Sequence, residues 1–201
     1  MDNPKLLIQE KQLLIFDYDG TLAQTSSFHE HAFQLAFEDL NISFDYNEIA
    51  GKKTYDAIKQ ILDQNKTILD EHAFQELVLK KQALAMEMIM MHLEQDKELT
   101  NFLEKVVSSH KLYVVSSGSR NSIMEGINKL QYSHFFDHII SAEDVKKAKP
   151  HPEGFLLALK IAGIEKSDAL IFEDSQSGFD AASEAGIEYL DVNSLSWYDL
   201  I

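Results

Sequence analysis

Short apolar runs alternate with amphipathic stretches along most of the chain. Five runs have the length of a β-strand: LLIF (13–16), LYVV (112–115), HII (138–140), ALIF (169–172) and EYLD (188–191). Between them, apolar residues recur at helical spacing, as in RNSIMEGINKL, PEGFLLALKIAG and SGFDAASEAG. Strands that alternate with helices form βαβ units, so this pattern predicts an α/β fold with a parallel sheet covered on both faces.

Residues 24–95 interrupt this alternation. The interval contains no strand-like run, but it has three amphipathic helical patterns, SSFHEHAFQLAFEDL, TYDAIKQIL and EHAFQELVLKKQALAMEMIMMHLE. We therefore predict an α/β core made of residues 1–23 and 96–201, with a helical insertion at residues 24–95 after the first strand. A segment of about seventy residues is long enough to form a small domain.

Composition and charge limit the classes of function. The chain has 201 residues, of which 45% are apolar, and no cysteine, so disulfides, thiolate metal sites and cysteine nucleophiles are excluded. The sequence shows neither a signal peptide at MDNPKLLIQEKQ nor a run long enough to cross a bilayer, so we expect a cytoplasmic protein without a membrane partner. A net charge of −15 repels nucleic acid, and a small anionic substrate would need a cation or a local positive site.

Two carboxylates, Asp17 and Asp19, follow the first predicted strand. Residues two apart in an extended chain point the same way, and paired carboxylates suit a hard cation such as Mg²⁺. One of them could instead be a nucleophile and the other a proton donor. The alternative is that Asp-Gly serves only to turn the chain.

Polar residues also follow three further strands. The segment SSGSR (116–120) offers hydroxyls and amides for an anion, although a turn with a helix N-cap would look the same. Lys149 lies between Ala148 and Pro150 in KKAKPHPEGF, where its neighbours fix the backbone. Glu173 and Asp174 follow ALIF, and adjacent acids after a buried strand need a partner or a metal unless Asp174 is a helix N-cap. Together these residues predict a phosphoryl-transfer site.

The segments FDYDGTL, VVSSGSR, KPHPEGF and FEDSQSGFDAA resemble the four ordered motifs of the haloacid dehalogenase-like hydrolases. The resemblance extends from about residue 13 to residue 190 and is closest to members with a helical cap after the first strand. It implies a Rossmann-like parallel sheet core, an inserted α-helical cap domain, Mg²⁺ and an aspartyl-phosphate intermediate. The substrate would be a small phosphorylated metabolite, and we expect a monomer or weak dimer.

The resemblance also assigns roles at the first two motifs. Asp17 would be the nucleophile and a metal ligand. Asp19 would be the general acid/base, kept protonated by the neighbouring carboxylates, with its backbone carbonyl on the metal. Ser116 would hold the phosphoryl oxygens, with Ser117, through its amide, and Gly118 as further substrate-binding residues.

At the last two motifs, the resemblance makes Lys149 a bridge between the phosphate and Asp17. Asp174 would ligate Mg²⁺, and Glu173 would contribute directly or through water. Mg²⁺ and Lys149 would remove much of the repulsion between an attacking carboxylate and a phosphate.

Substrate specificity is expected to come from the cap, which would also exclude water. GKKTYDAIKQIL (51–62) resembles the cap segment of glycerol-phosphate and small sugar-phosphate phosphatases, so Lys52, Lys53 and Tyr55 are candidates for substrate contact. His29 and Lys81 occupy places that resemble the β-phosphoglucomutase group. For each of these residues, a solvated or structural role is the alternative.

Three functions therefore remain open. The first is a Mg²⁺-dependent phosphatase of a polyol or sugar phosphate, with glycerol phosphate favoured. The second is a phosphosugar mutase of the β-phosphoglucomutase type. The third is a binding module on the same fold, which the complete set of acids, serine and lysine argues against. Dehalogenation is a weaker fourth hypothesis, because it needs neither Asp19 nor a metal.

Overall fold

A computed structural model describes residues 4–200. Its five strands are β1 (Leu13–Phe16), β2 (Lys111–Val115), β3 (His138–Ile140), β4 (Ala169–Glu173) and β5 (Glu188–Asp191). Its eight α-helices are α1 (Pro4–Gln9), α2 (Ser26–Phe37), α3 (Thr54–Gln64), α4 (Glu71–His92), α5 (Lys97–Val106), α6 (Arg120–Lys129), α7 (Glu153–Ala162) and α8 (Gln176–Ala185). All five predicted strands are present, with β2 beginning one residue earlier and β4 extending one residue further, to Glu173.

The strands form one parallel sheet in the order β3-β2-β1-β4-β5, which confirms the predicted α/β fold with a Rossmann-like core. β1 lies at the centre, where Phe16 is in register with Val114 of β2 and Phe172 of β4. Every residue of β1 is buried. A strand covered on both faces has no polar alternation, and this explains the continuous apolar run LLIF.

Alternate residues of β1 enter two different cores. Leu14 and Phe16 belong to the cluster that includes Phe102 and Trp197, and Phe16 stacks on Phe172 with ring centroids 4.7 Å apart. Leu13 and Ile15 belong to the cluster on the opposite face of the sheet, which includes helices α7 and α8. Burying each such side chain contributes about 1.5–3 kcal/mol, so the central strand is held in place from both sides.

Residues 24–95 contain the helices α2, α3 and α4 and no strand of the sheet. They share a third apolar cluster, which includes Phe33, Phe37, Ile58 and Leu77. Asp70 caps the first turn of α4, and Asp96 caps α5 where the chain returns to the sheet. The division into domains at residues 23/24 and 95/96 stays a prediction. Within residues 4–200, no helix is both long and apolar enough to span a membrane.

Candidate active site

The carboxyl ends of β1, β2 and β4 bring three of the predicted motifs together. β1 lies between β2 and β4, so Asp17, Ser116 and Asp174 follow adjacent strands at the same edge of the sheet. In open α/β sheets, ligands bind at this edge. The loop before α7 adds Lys149 from a fourth position.

Lys149 links two carboxylates beneath this edge. Its Nζ donates to Asp17 Oδ1 at 2.5 Å and to Glu173 Oε2 at 2.6 Å. All three side chains are buried, which is tolerable because the charges are paired and hydrogen-bonded. The paired carboxylates outweigh the effect of burial and raise the pKa of Lys149, so the ammonium stays charged.

Glu173 is engaged on both carboxylate oxygens. Its Oε1 accepts hydrogen bonds from the hydroxyl of Ser175 at 2.8 Å and from the backbone N–H of Ser175 at 3.2 Å. Gly178 makes room for it, since a Cβ there would lie 1.9 Å from the Glu173 carboxyl carbon. Both oxygens of Glu173 thus already have hydrogen-bond partners, Lys149 and Ser175. A metal ion bound by Glu173 would share one of these oxygens.

Three acids at this edge could hold a divalent cation. One ligand oxygen each from Asp17, Glu173 and Asp174 lie within 4.8 Å of one another. Asp174 Oδ1 is buried without a hydrogen-bond partner among the described residues, as expected of an atom that awaits a ligand. Oxygen donors from carboxylates are what Mg²⁺ prefers, so the residues present fit such an ion.

The mutual repulsion of these acids also fits a cation. Burial, and then the Glu173 carboxylate, raise the pKa of Asp17 well above its usual range. The same two causes raise the pKa of Asp174 to about 7. A bound cation would oppose both effects. Gly20, at φ 88°, allows the close approach, because a Cβ there would lie 2.0 Å from Asp174 Oδ2.

The alternative role of Asp174 as a helix N-cap is wrong. Ser175 caps α8, and its hydroxyl accepts a hydrogen bond from the Gly178 N–H. Asp174 is therefore left without that structural role.

Asp19 is hydrogen-bonded to residues of the insertion. Its Oδ1 accepts hydrogen bonds from Thr25 at 2.6 Å and from His29 at 2.9 Å, and the His29 ring in turn contacts the Lys81 ammonium at 2.8 Å. Burial opposes ionisation of Asp19, but the facing His29 and the two hydrogen bonds outweigh it and lower the pKa of Asp19 to about 2. The expectation that neighbouring carboxylates keep Asp19 protonated is therefore wrong for this resting state.

The charged Lys81 defines the tautomer of His29. An ammonium has three donors and no acceptor, so His29 Nδ1 accepts from Lys81 and His29 Nε2–H donates to Asp19. Burial lowers the pKa of Lys81 to about 8, because Asp19 compensates only in part. These three side chains form a hydrogen-bonded chain from α4 through α2 to the loop after β1.

The turn and the helix N-cap that were the alternative for SSGSR are both present. Ser116 follows β2 directly, and its buried hydroxyl accepts from the Gly118 N–H at 3.0 Å, which makes a turn. Ser119 is the N-cap of α6. Ser116, Ser117 and Gly118 nevertheless line a small cavity of 60 Å³ together with Asp17 and Asp19. The hydroxyl of Ser117 is buried without a partner among the described residues.

The candidate residues from the insertion separate into two groups. His29, Lys81 and Lys52 line the same cavity as Asp17, although the Lys52 ammonium also donates to Gln60 at 2.6 Å. Lys53 does not line it, because its ammonium donates to the backbone carbonyls of Ala142 and Val145 at 2.9 and 3.4 Å. Tyr55 is also outside it.

Tyr55 packs edge-to-face on Phe74, with ring centroids 4.7 Å apart, and is 46% exposed. The structure thus does not bring Lys53 or Tyr55 to the cavity, although the sequence pattern predicted that both contact the substrate. The first two residues of α3 face in different directions, since Thr54 lines the cavity and Tyr55 does not.

Some residues of the site were not predicted from the sequence. They are Thr25, which bonds Asp19, and the lining residues Phe33, Tyr46, Ile49 and Thr54. Phe33 and Ile49 also belong to the core of the insertion, so their apolar pattern indicated only packing. Tyr46 lies in a short 3₁₀ helix with no motif around it, and no sequence signal identifies it.

Comparison with known proteins adds independent findings. A family model described as haloacid dehalogenase-like hydrolase matches residues 14–192. The chain is 30% identical over 188 residues to a fructose-1-phosphate phosphatase of Escherichia coli. This alignment covers 90% of this chain and 96% of that protein. It is 28% identical over 179 residues to the validoxylamine A 7'-phosphate phosphatase of Streptomyces hygroscopicus subsp. limoneus. This alignment covers 88% of this chain and 83% of that protein.

Among solved structures, a β-phosphoglucomutase from Clostridium difficile matches with a TM-score of 0.82 over 90% of this chain and 84% of that chain. At 22% identity, this likeness concerns the fold.

Proposed function

The chain belongs to the haloacid dehalogenase-like hydrolase family, and we propose that it is a Mg²⁺-dependent phosphatase of a small sugar or polyol monophosphate. The observation that carries the proposal is the contact of Lys149 with both Asp17 and Glu173, beside the unpartnered carboxylate oxygen of Asp174. This arrangement offers a nucleophile, a fixed positive charge and acids for a cation at one edge of the sheet. Relatives named as phosphatases of phosphorylated sugars support the substrate class.

In the first step, an Asp17 oxygen attacks phosphorus, and the bond from phosphorus to the leaving oxygen breaks. Lys149, already on Asp17, offsets the charge that this oxygen and the phosphoryl group share. The Ser116 hydroxyl and the Ser117 amide hold phosphoryl oxygens. A divalent ion held by Asp17, Asp174 and the Asp19 carbonyl, with Glu173 near it, would neutralise further phosphoryl charge.

The leaving oxygen takes its proton from Asp19. Asp19 is ionised in the resting state, and an incoming phosphoryl dianion raises its pKa, so a proton is held there when the ester is bound. In the second step, ionised Asp19 takes a proton from water, the water oxygen bonds to phosphorus, and the bond from Asp17 to phosphorus breaks. The low resting pKa of Asp19 suits this second role as a base.

The proposed function is tested by a phosphate-release screen with and without Mg²⁺. The panel contains both glycerol phosphates, phosphoglycolate, hexose phosphates including fructose 1-phosphate, and nucleoside monophosphates. We expect Mg²⁺-dependent release from sugar or polyol phosphates, with glycerol phosphate favoured by the resemblance of residues 51–62. Turnover that ignores a chelator would contradict the proposal.

A variant pair assigns the activity to the site. Asp17→Asn removes the nucleophile and is expected to lower turnover at least about 10³-fold. The matched control, Asp63→Asn, changes an exposed carboxylate on α3 and should leave turnover unchanged. Full activity of Asp17→Asn would favour the binding-module hypothesis instead.

A second candidate function is a phosphosugar mutase. The observation that favours it is the contact chain from Lys81 through His29 to Asp19, at the positions that resemble the β-phosphoglucomutase group. The test supplies glucose 1-phosphate with a trace of the glucose bisphosphate. Glucose 6-phosphate without free phosphate would favour the mutase, whereas free phosphate favours the phosphatase.

A further inference from the structure

The cavity that contains Asp17 continues into a second chamber. The first cavity has a volume of 60 Å³ and the second, called here the leaving-group chamber, has a volume of 210 Å³. Both are lined by Asp19, His29, Thr54, Lys81 and Gly118, so they adjoin at the proposed proton donor. If the phosphoryl group binds beside Asp17, as the proposed function requires, the alcohol it leaves occupies the second chamber.

The chamber is lined mostly by neutral side chains. Gln82 and Met86 enter from α4, and Asn121, Ser122 and Ile123 enter from the first turn of α6. The amides and the hydroxyl can each donate and accept hydrogen bonds. The side chains of Gln82 and Asn121 are exposed and have no hydrogen-bond partner among the residues that the structure describes, so a ligand can use them in place of water.

Lys81 is the one lysine or arginine among the described residues that line this chamber, and its ammonium already contacts other side chains of the protein. Its ammonium contacts His29 at 2.8 Å and lies 4.4 Å from the centre of the Phe33 ring. Through His29 its charge compensates Asp19. Lys52 lines the phosphoryl cavity and not the chamber.

The N-terminus of α6 would otherwise attract an anion. The Arg120 N–H there donates to the Glu143 carboxylate at 2.9 Å, and the Ser119 hydroxyl accepts from the Ser122 N–H at 3.3 Å. The Arg120 guanidinium pairs with Asp144 at 2.5 Å. The backbone N–H and the guanidinium of Arg120 thus already have carboxylate partners within the chain, and the Ser122 N–H has a hydroxyl partner.

We propose that the leaving-group chamber selects a neutral, polyhydroxylated alcohol, with Gln82 and Asn121 as specificity-determining residues. The proposal rests on the proposed function and adds to it the residues that contact the leaving alcohol and the requirement that this alcohol carries no charge. A leaving group with a second phosphate or a carboxylate finds no free cation in the chamber. The bisphosphate that a phosphosugar mutase must bind is therefore disfavoured.

Two pairs of substrates test separately how the hydroxyls and the charge of the leaving group affect turnover. Glycerol phosphate and propyl phosphate differ in the hydroxyls of the leaving group, and a hexose monophosphate and its bisphosphate differ in one phosphate. With the wild-type enzyme and Mg²⁺, we expect kcat/KM to be about tenfold higher for the first member of each pair, because the glycerol hydroxyls can bond to Gln82 and Asn121 and the second phosphate of the bisphosphate has no free cation to pair with. Equal values, or preference for propyl phosphate or the bisphosphate, would overturn the proposal.

Variants connect this preference to the chamber. Gln82→Leu and Asn121→Leu should each lower the ratio of glycerol phosphate to propyl phosphate by about threefold or more. Gln82→Lys should raise kcat/KM for the bisphosphate relative to the monophosphate. The matched control is Gln75→Leu, on the same helix but bonded to Glu71 and outside the chamber, and it should change neither ratio. Unchanged ratios in both leucine variants would overturn the assignment of these residues.

Failure of the proposed function gives a different result. In that case, no phosphate ester of either pair, nor a generic aryl phosphate, would release phosphate in a Mg²⁺-dependent way. Release from the aryl phosphate with no discrimination within the pairs would contradict the chamber proposal alone.

Discussion

Two buried lysines have their pKa values shifted in opposite directions. Lys149 lies between Asp17 and Glu173, and these carboxylates outweigh burial and raise its pKa. Lys81 is equally buried, but it faces a histidine and a more distant Asp19, so burial prevails and lowers its pKa to about 8. Residue type and burial alone do not decide the charge of a buried lysine; the partner does.

The lowered pKa of Lys81 predicts a pH dependence of stability. Between about pH 8 and the ordinary lysine value near 10.5, the unfolded chain binds a proton at Lys81 that the folded protein does not. The free energy of unfolding of the wild type, relative to Lys81→Met, should therefore rise as the pH rises through this window. A shift of this size corresponds to roughly 3 kcal/mol.

Denaturant unfolding of both proteins from about pH 7 to 11 measures this difference. Other titrating groups cancel between wild type and variant, so a constant difference across the window would contradict the account of Lys81.

At the scale of elements, the segment before and at the start of α3 joins the insertion to the core. Lys53, which precedes α3, donates to the carbonyls of Ala142 and Val145, in the loop after β3. Nearby, Gly51 approaches the loop after β4, where an added Cβ would lie 2.6 Å from the Ser175 hydroxyl. These contacts close the insertion over the cavity that Asp17 lines.

We predict that Lys53→Met weakens this closure. Two hydrogen bonds from a partly exposed ammonium are lost, and kcat/KM should fall about 3- to 30-fold. Hydrogen exchange of residues 142–145 should become faster at the same time. The matched control, Lys59→Met, removes an exposed lysine of α3 and should change neither quantity. Unaltered hydrogen exchange in Lys53→Met would show that Lys53 does not hold the insertion closed.

The strands were predictable because of their burial. All four residues of β1, and the first four of β4, form continuous apolar runs since they are covered on both faces. The partners of Lys53 could not be predicted, because Ala142 lies 89 residues away and offers a backbone carbonyl, which carries no residue identity. The leaving-group chamber could not be predicted either, because Gln82 and Asn121 belong to two helices that are far apart in the sequence, α4 and α6.

At the scale of the whole molecule, acids from separate strands converge in a chain whose net charge is −15. The order of the motifs predicted the convergence of Asp17, Ser116, Lys149 and Asp174, because parallel strands present their carboxyl ends at one edge. The charge state of Asp19 was not predictable. It depends on His29 and Lys81, which arrive from two helices of the insertion.

This convergence predicts that Mg²⁺ stabilises the folded protein. A cation that binds the folded state at 100 times its Kd adds about 2.7 kcal/mol, which raises Tm by roughly 5–10 °C for a chain of this size. Asp174→Asn should abolish most of the increase, whereas Asp63→Asn should retain it. Thermal unfolding with Mg²⁺ and with a chelator measures the shift, and an equal increase in Asp174→Asn would place the cation elsewhere.

The central claim is that an oxygen of Asp17 bonds to phosphorus during turnover. It is tested most directly by acid-quenching the enzyme a few milliseconds after mixing with Mg²⁺ and a substrate labelled in the phosphoryl group, and then mapping the labelled peptide. The account predicts label on the peptide that contains Asp17, removable by hydroxylamine, and no label in Asp17→Asn or with chelator. Label on another residue, or rapid phosphate release with no labelled enzyme at any time, would contradict it.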